Sequence, residues 1–238
     1  MAADAAPGLL YLPGLPQAGT RFDLDPADAH YVARVCRARA GERVEATDGR
    51  GARALLRLVE VRAGVVAEVE SVTREPAPRR SWLLCGAPEG ERADWLVEKL
   101  AELGVERFVP VDAARGHWKG GSGRRARWQR LAIAALRQSR RCHLLGVEEP
   151  VSLAQALASL PAGGSRWLAD PAGFAASPRA LAGEEPAIGL VGPSAGLDDG
   201  ERAAALGAGF QPVRLADARL RTETAALAWA VLWSAGGA

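Results

Sequence analysis

Two short segments combine residue types and spacing that suit ligand chemistry. The first, Gly192-Pro193-Ser194-Ala195-Gly196-Leu197-Asp198-Asp199-Gly200-Glu201, follows an apolar run at 187–191. The second, Ala216-Asp217-Ala218-Arg219-Leu220-Arg221-Thr222-Glu223-Thr224-Ala225, follows Val213-Arg214-Leu215. Glycines let backbone groups approach a ligand closely, and a guanidinium can bind or stabilise an anion. Gly192-x-Ser194-x-Gly196 matches the nucleophile elbow of α/β-hydrolases. That triad places its histidine after the serine, and no histidine follows Ser194. The chain has no Gly-Lys-Ser/Thr phosphate loop. Thr222 and Thr224 also suit a helix cap, and Glu223 suits the positive end of a helix.

A third feature is basic. Between Asp112 and Leu145, Arg115, Lys119, Arg124, Arg125, Arg127, Arg130, Arg137, Arg140 and Arg141 face only Asp112, a local charge of +8 in a chain of net +2. Such a stripe is either a solvated helix face or the electrostatic footprint of nucleic-acid binding.

Alternating elements must position these segments. Up to about residue 75 the pattern is β-rich. The runs 44–47 and 54–58 flank Asp48-Gly49 and predict a hairpin with a two-residue turn; 65–69 is a further strand, and 27–39 has helical spacing. Pro76 and Pro78 break the chain and mark a boundary between 1–75 and 79–238. Beyond it, strands at 82–85, 107–111, 166–169, 187–191 and 212–215 alternate with helices at 93–103, 125–139, 199–207 and 222–234, with a flexible loop at 120–123. This order predicts an α/β domain with a mainly parallel sheet, whose ligands sit beyond the C-terminal strand ends. The last helix is apolar nearly all round, with Leu227 and Val231 on one side and Trp229 and Trp233 on another. That pattern predicts either a central core helix or a homodimer interface carrying exposed tryptophans.

Composition excludes other classes. An apolar fraction of 48% excludes disorder. The longest apolar stretch is far short of the ~20 residues that span a bilayer. No signal peptide is visible. Cys36, Cys85 and Cys142 read as reduced thiols of a cytoplasmic protein, and no metal-ligand spacing occurs around His30, His117 or His143.

Leu220-Arg221-Thr222-Glu223-Thr224-Ala225 strongly resembles the signature of the ribosomal RNA small-subunit methyltransferase E family. Further segments agree in order: His30-Tyr31-Val32 with Arg34 and Arg37; Gly41-Glu42-Arg43-Val44 and Asp48-Gly49; Trp95-Leu96-Val97-Glu98-Lys99; Trp128-Gln129-Arg130; Gln138-Ser139-Arg140-Arg141; and Gly192-Pro193 with Gly196. The resemblance spans nearly the whole chain. It implies a PUA-like β-barrel followed by a SPOUT α/β domain with a C-terminal trefoil knot, an exception to the usual absence of knots. It further implies a homodimer, S-adenosylmethionine as cofactor, and N3-methylation of a uridine in 16S ribosomal RNA, free or in the small ribosomal subunit.

Carried onto this chain, the resemblance points to Leu190, Gly192, Pro193, Gly196, Leu215, Leu220, Thr222, Thr224 and Ala225 for the cofactor. Arg221 and Glu223 become the catalytic candidates: a guanidinium to stabilise the charge left when uracil N3 loses its proton, and a carboxylate to orient it or accept the proton. His30, Arg34, Arg37, Arg115, Lys119, Arg124, Arg125, Arg127, Arg140 and Arg141 are candidates for RNA contact; no metal is expected. The chain departs from the family's Gly-Pro-Glu-Gly-Gly at Ser194 and Ala195, from its Leu-Gly at Ala216, and from expected residues near Glu89, Arg137 and Ala218. These departures keep two other readings open: an RNA-binding paralogue impaired in catalysis, and a SPOUT enzyme retargeted to another substrate.

Overall fold

The computed structural model describes residues 5–62, 64–118, 123–181 and 183–236. Lys119 and most of the expected 120–123 loop lie outside them. Contacts divide the chain into two units, residues 1–77 with 136–144 and residues 78–135 with 145–238.

The first unit is a five-stranded sheet. In chain order it holds β1 (Ala5–Tyr11), β2 (Arg21–Asp23), α1 (Pro26–His30) running into a π-helical turn (Tyr31–Val35), β3 (Arg43–Thr47), β4 (Ala52–Val61) and β5 (Val65–Arg74). The strand order is β1-β3-β4-β5-β2, antiparallel except for the β1–β3 pair. Burial alternates along β4, as a sheet with one covered face requires. Leu10, Val32, Ala46, Leu56, Leu58, Ala67 and Val69 make the core. The β3–β4 connection is longer than the expected two-residue turn. Asp48 Oδ1 accepts from the Arg50 and Ala52 amides, at 2.7 and 3.0 Å, so the turn runs over four residues.

The second unit is a parallel sheet in the order β12-β10-β11-β6-β7-β8, with β9 paired to β7. Its strands are β6 (Ser81–Cys85), β7 (Arg107–Asp112), β8 (Gly146–Val147), β9 (Val151–Ser152), β10 (Ser165–Ala175), β11 (Ala187–Val191) and β12 (Gln211–Arg214). Its helices are α2 (Ala93–Leu103), α3 (Arg124–Ser139, whose last turn clusters with the first unit), α4 (Leu153–Ala158), α5 (Pro178–Leu181), α6 (Asp199–Gly207) and α7 (Thr222–Ala235). Every residue of β6 and β11 is buried, as expected for central strands covered on both faces.

The last helix corrects one expectation. Trp229 and Trp233 are 1% and 4% exposed, with stacked rings 6.0 Å apart. Trp229 can face inward because residue 189 is glycine: a Cβ there would lie 2.6 Å from the Trp229 indole. The tryptophans are therefore core, and the accessible face of α7 carries Thr224, Leu227, Ala228 and Val231.

Candidate functional site

The C-terminal ends of β6, β7 and β11 converge on one residue, Pro193. The Gly86 amide donates to the Val191 carbonyl at 2.8 Å, which brings the β6 and β11 ends together. A Cβ on Gly86 would stand 2.2 Å from Pro193 N, and one on Gly116 would stand 2.6 Å from Pro193 Cβ. Two glycines from separate loops thus grip the proline ring. Pro193 opens a tight turn closed by the Gly196 amide donating to the Pro193 carbonyl at 2.7 Å, with Gly196 at φ +77°. That conformation favours glycine. The turn survives with Ser194 and Ala195 at its centre.

The turn is anchored on three further sides. Asp198 and Glu201 form a reciprocal capping box on α6, and Glu201 Oε1 also accepts from the Ala114 amide at 2.7 Å. Thr222 Oγ1 donates to the Gly192 carbonyl at 3.1 Å, tying the start of α7 to the same loop. Arg219 Nη2 donates to the Ser194 carbonyl at 3.1 Å. The two segments singled out in the sequence therefore touch.

Between them lies a cavity of about 290 Å³. Gly192, Pro193, Gly196, Leu215, Leu220, Thr222 and Ala225 line it as expected; Leu190 and Thr224 do not, the first buried in β11 and the second exposed on α7. Sequence reasoning missed part of the wall. Ala169 and Phe174 of β10 both register with Val213, so residues 170–173 bulge out between them, and Asp170 and Pro171 reach the cavity. Asp170 accepts from the Ala172 amide and from Arg202 Nε, each at 2.8 Å. Arg202 and Arg214 also line the cavity. Gly86 and Gly116 were missed because their role depends on a proline far along the chain.

A larger, open cavity of about 810 Å³ shares Pro193 and Ser194 with the first. Arg115, His117, Arg124, Arg127, Glu89 and Asp94 line it above buried Trp118 and Trp128. Trp118 donates through Nε1 to the Cys85 carbonyl at 3.0 Å, and Trp128 to Asp94 Oδ1 at 3.1 Å. Ser194 is no strained hydrolase elbow. Among the described residues only Arg37 and Arg140 carry a positive φ without being glycine.

The basic stripe is less bare than the local count implied. Arg127 pairs with Asp94, Arg140 with Glu45 at 2.9 Å, and Arg137 with Asp28 at 3.7 Å. These carboxylates come from distant parts of the chain, which a window of sequence does not show. Arg125 Nε is spent on the Val147 carbonyl at 3.0 Å, and buried Arg141 Nε has no protein partner. Arg115 and Arg124 have no carboxylate partner among the described residues, and the Arg124 guanidinium lies 5.4 Å from the Trp128 ring centroid. In the first unit, His30, Arg34 and Arg37 are exposed around the π-helical turn.

Arg221 is exposed in extended backbone at the N-terminus of α7 and spends no side-chain hydrogen bond on capping. It lines neither cavity, although its neighbours Leu220 and Thr222 line the smaller one. Glu223 is 3% exposed. Burial, with the Glu223 charge beside it, pushes the Cys85 thiol far up, so Cys85 stays a protonated core residue.

Comparison with known proteins bears on this geometry. A family model for an RNA methyltransferase domain matches residues 75–234, and one for an RNA methyltransferase PUA domain matches residues 24–64. Ribosomal RNA small subunit methyltransferase E of Mycobacterium bovis is 32% identical over 238 residues, covering 92% of this chain and 87% of the relative. The same enzyme of Synechocystis is 29% identical over 223 residues, covering 85% and 69%. The crystal structure of ribosomal RNA small subunit methyltransferase E from Neisseria gonorrhoeae, bound to S-adenosyl methionine, superposes with a TM-score of 0.85. It is 29% identical, with 94% of this chain and 95% of that one covered.

Proposed function

The chain belongs to the ribosomal RNA small subunit methyltransferase E family, and from that premise we propose that it methylates N3 of a uridine in small-subunit ribosomal RNA, using S-adenosylmethionine. One observation carries the reading: Pro193 and Ser194 form a wall common to both cavities. A cofactor in the smaller and a nucleotide in the larger share one rigid turn, and rigid placement of two reactants is what transfer between them requires.

The smaller cavity fits the cofactor. Leu168, Val191, Leu197, Leu215 and Leu220 offer apolar surface to an adenosine, and guanidinium groups stand on the same wall. Gly192, Pro193, Gly196, Leu215, Leu220, Thr222 and Ala225 hold it in this reading. S-adenosylmethionine, when bound, supplies a methyl group activated by a sulfonium.

The chain's own groups do the remaining work. Uracil N3 has a free lone pair only as its proton leaves, here to solvent water in the open larger cavity, and the charge then spreads to the flanking carbonyl oxygens until N3 takes the methyl group. A guanidinium on that edge lowers the cost. Arg221 is assigned this role because its side chain is free of capping duty and it stands between two residues of the cofactor wall. Glu223 is too buried to accept a substrate proton. It sits instead in the first turn of α7, where a carboxylate favours the helix N-terminus.

Arg115 and Arg124 take phosphates at the larger cavity, with help from Arg127, Lys119 and Arg125, while Arg140, Arg141, His30, Arg34 and Arg37 of the first unit take other phosphates of the RNA. The domains of this reading are 1–75, a barrel that binds RNA, and 79–238, with its last segment threaded as a knot. A homodimer through the accessible face of α7 completes it, working in the cytoplasm.

The test is methyl transfer from labelled S-adenosylmethionine to small ribosomal subunits that lack the modification, with the product nucleoside identified by mass spectrometry. One N3-methyluridine is expected, reduced about 100-fold or more by Arg221→Ala, the usual cost of losing a single donor that stabilises a developing anion. Methyl found on a ribose or another base, or no transfer by a chain that binds the cofactor, overturns the substrate.

A further inference from the structure

We propose that Arg219 reads the carboxylate of the ligand in the smaller cavity. The proposal rests on the S-adenosylmethionine reading and deepens it.

Three guanidinium groups line that cavity: Arg202, Arg214 and Arg219. Two are matched by carboxylates. Arg202 Nε lies 2.8 Å from Asp170 Oδ2, and Arg214 Nη1 lies 3.3 Å from Asp217 Oδ1. Among the described residues of the wall, Arg219 is the guanidinium without a carboxylate partner. Its single protein hydrogen bond, from Nη2 to the Ser194 carbonyl at 3.1 Å, draws it across from the second ligand segment to the first.

A guanidinium carries five N–H donors in a rigid fork, so this bond leaves most of them for a ligand. S-adenosylmethionine ends in an α-carboxylate, an acceptor that a fork of N–H donors matches in shape and charge. The rest of the wall offers that group little. It is mainly apolar side chains and loop backbone, and Asp170 would repel an anion were it not already engaged by Arg202. Arg202 and Arg214 keep free donors as well, but their charges are already offset by Asp170 and Asp217, whereas among the described residues no carboxylate stands beside Arg219. Arg219 would keep its bond to Ser194 and gain a second partner, so ligand binding would also pin the Pro193–Gly196 turn.

The experiment compares S-adenosylmethionine with its decarboxylated counterpart, which differs only in lacking this group. Each is titrated by calorimetry into the unmodified chain and into Arg219→Ala, Arg219→Gln and Arg214→Ala. The unmodified chain is expected to favour the carboxylated ligand roughly tenfold or more, the usual worth of a charge-assisted hydrogen bond. Both Arg219 variants should bind the two ligands with nearly equal affinity, while Arg214→Ala keeps the preference. Arg219→Gln retains a donor for Ser194 without the charge, so it separates carboxylate reading from a loosened turn. Equal affinity in the unmodified chain overturns the proposal and leaves the cofactor reading standing. So does a preference that survives in the Arg219 variants or vanishes in Arg214→Ala. Failure of the unmodified chain to bind either ligand overturns both readings together.

Discussion

Gly86→Ala tests the architecture of the site at its tightest point. The added Cβ would lie 2.2 Å from Pro193 N, 2.6 Å from its Cδ and 2.7 Å from its Cα. Carbon atoms in contact prefer about 3.5–4 Å, so the two loops must part by about 1 Å. Neither partner is a flexible side-chain tip, and Gly116 blocks the far side of the proline ring. Overpacking of this kind costs about 1–3 kcal/mol, and a chain of this size loses about 2–4 °C of melting temperature per kcal/mol. A lowering of about 2–12 °C is therefore expected.

The displaced atoms belong to the wall shared by both cavities, so affinity for S-adenosylhomocysteine should fall about tenfold for each 1.4 kcal/mol that reaches the bound state. Gly207→Ala is the control. It lies in α6 with nothing within 4 Å of its Cβ, and should leave affinity unchanged and stability equal or slightly raised. Calorimetric titration and thermal unfolding of the two variants decide the matter. A Gly86→Ala chain with unaltered melting temperature and affinity would show that Pro193 is not held as described.

Gly189→Ala should lower stability by about 1–3 kcal/mol without touching either cavity, because its Cβ meets the Trp229 ring at 2.6 Å; an unchanged melting temperature would refute that contact. Asp28 is pushed up to about 6, mainly by burial and then by Asp25. A carboxyl raised in the folded state favours folding most below its unfolded value near 4 and loses that contribution as pH climbs toward 6. Asp28→Asn should therefore gain stability over the unmodified chain at pH 7, by roughly 1–3 kcal/mol, and show no gain at pH 3; an equal difference at both values would refute it. For RNA, Arg124→Ala should flatten the salt dependence of binding by nearly one phosphate contact. Arg127→Ala should do so less, because Asp94 already neutralises it; filter binding across a salt series measures both slopes, and equal slopes would dismiss that distinction.

Legibility in the sequence followed the range of the interactions involved. Helix α2 and strand β11 match their expected bounds because local signals set them: leucines on one face with Gly104 at φ +78° as the stop, and an unbroken apolar run. The two-residue strands β8 and β9 and the short helix α4 escaped notice, since too few residues repeat to make a period. Trp229 and Trp233 looked like a surface patch because a helix can be covered on two sides by its own chain, here by Gly189 of β11 and by α2. The local charge of the basic stripe was legible, its neutralisation was not, since Asp28, Glu45 and Asp94 lie far off in sequence. In the cavity wall, the two loop segments stood out by residue type, whereas Asp170 and Arg202 depend on a bulge in β10 that follows from pairing with β12.

The grip on Pro193 has a consequence for the life of the chain. Residues 86, 116, 193 and 222 must all be in place before the smaller cavity exists, and the first and last of them lie 136 positions apart. A growing or clipped chain lacking α7 has no way to hold the Gly192 loop through Thr222. Occupancy by a small molecule then depends on these distant loops having come together, and the ligand favours only that state: at a hundred times its dissociation constant it adds about 2.7 kcal/mol to it. A ligand seated where these distant loops meet therefore braces the fold as well as filling the site.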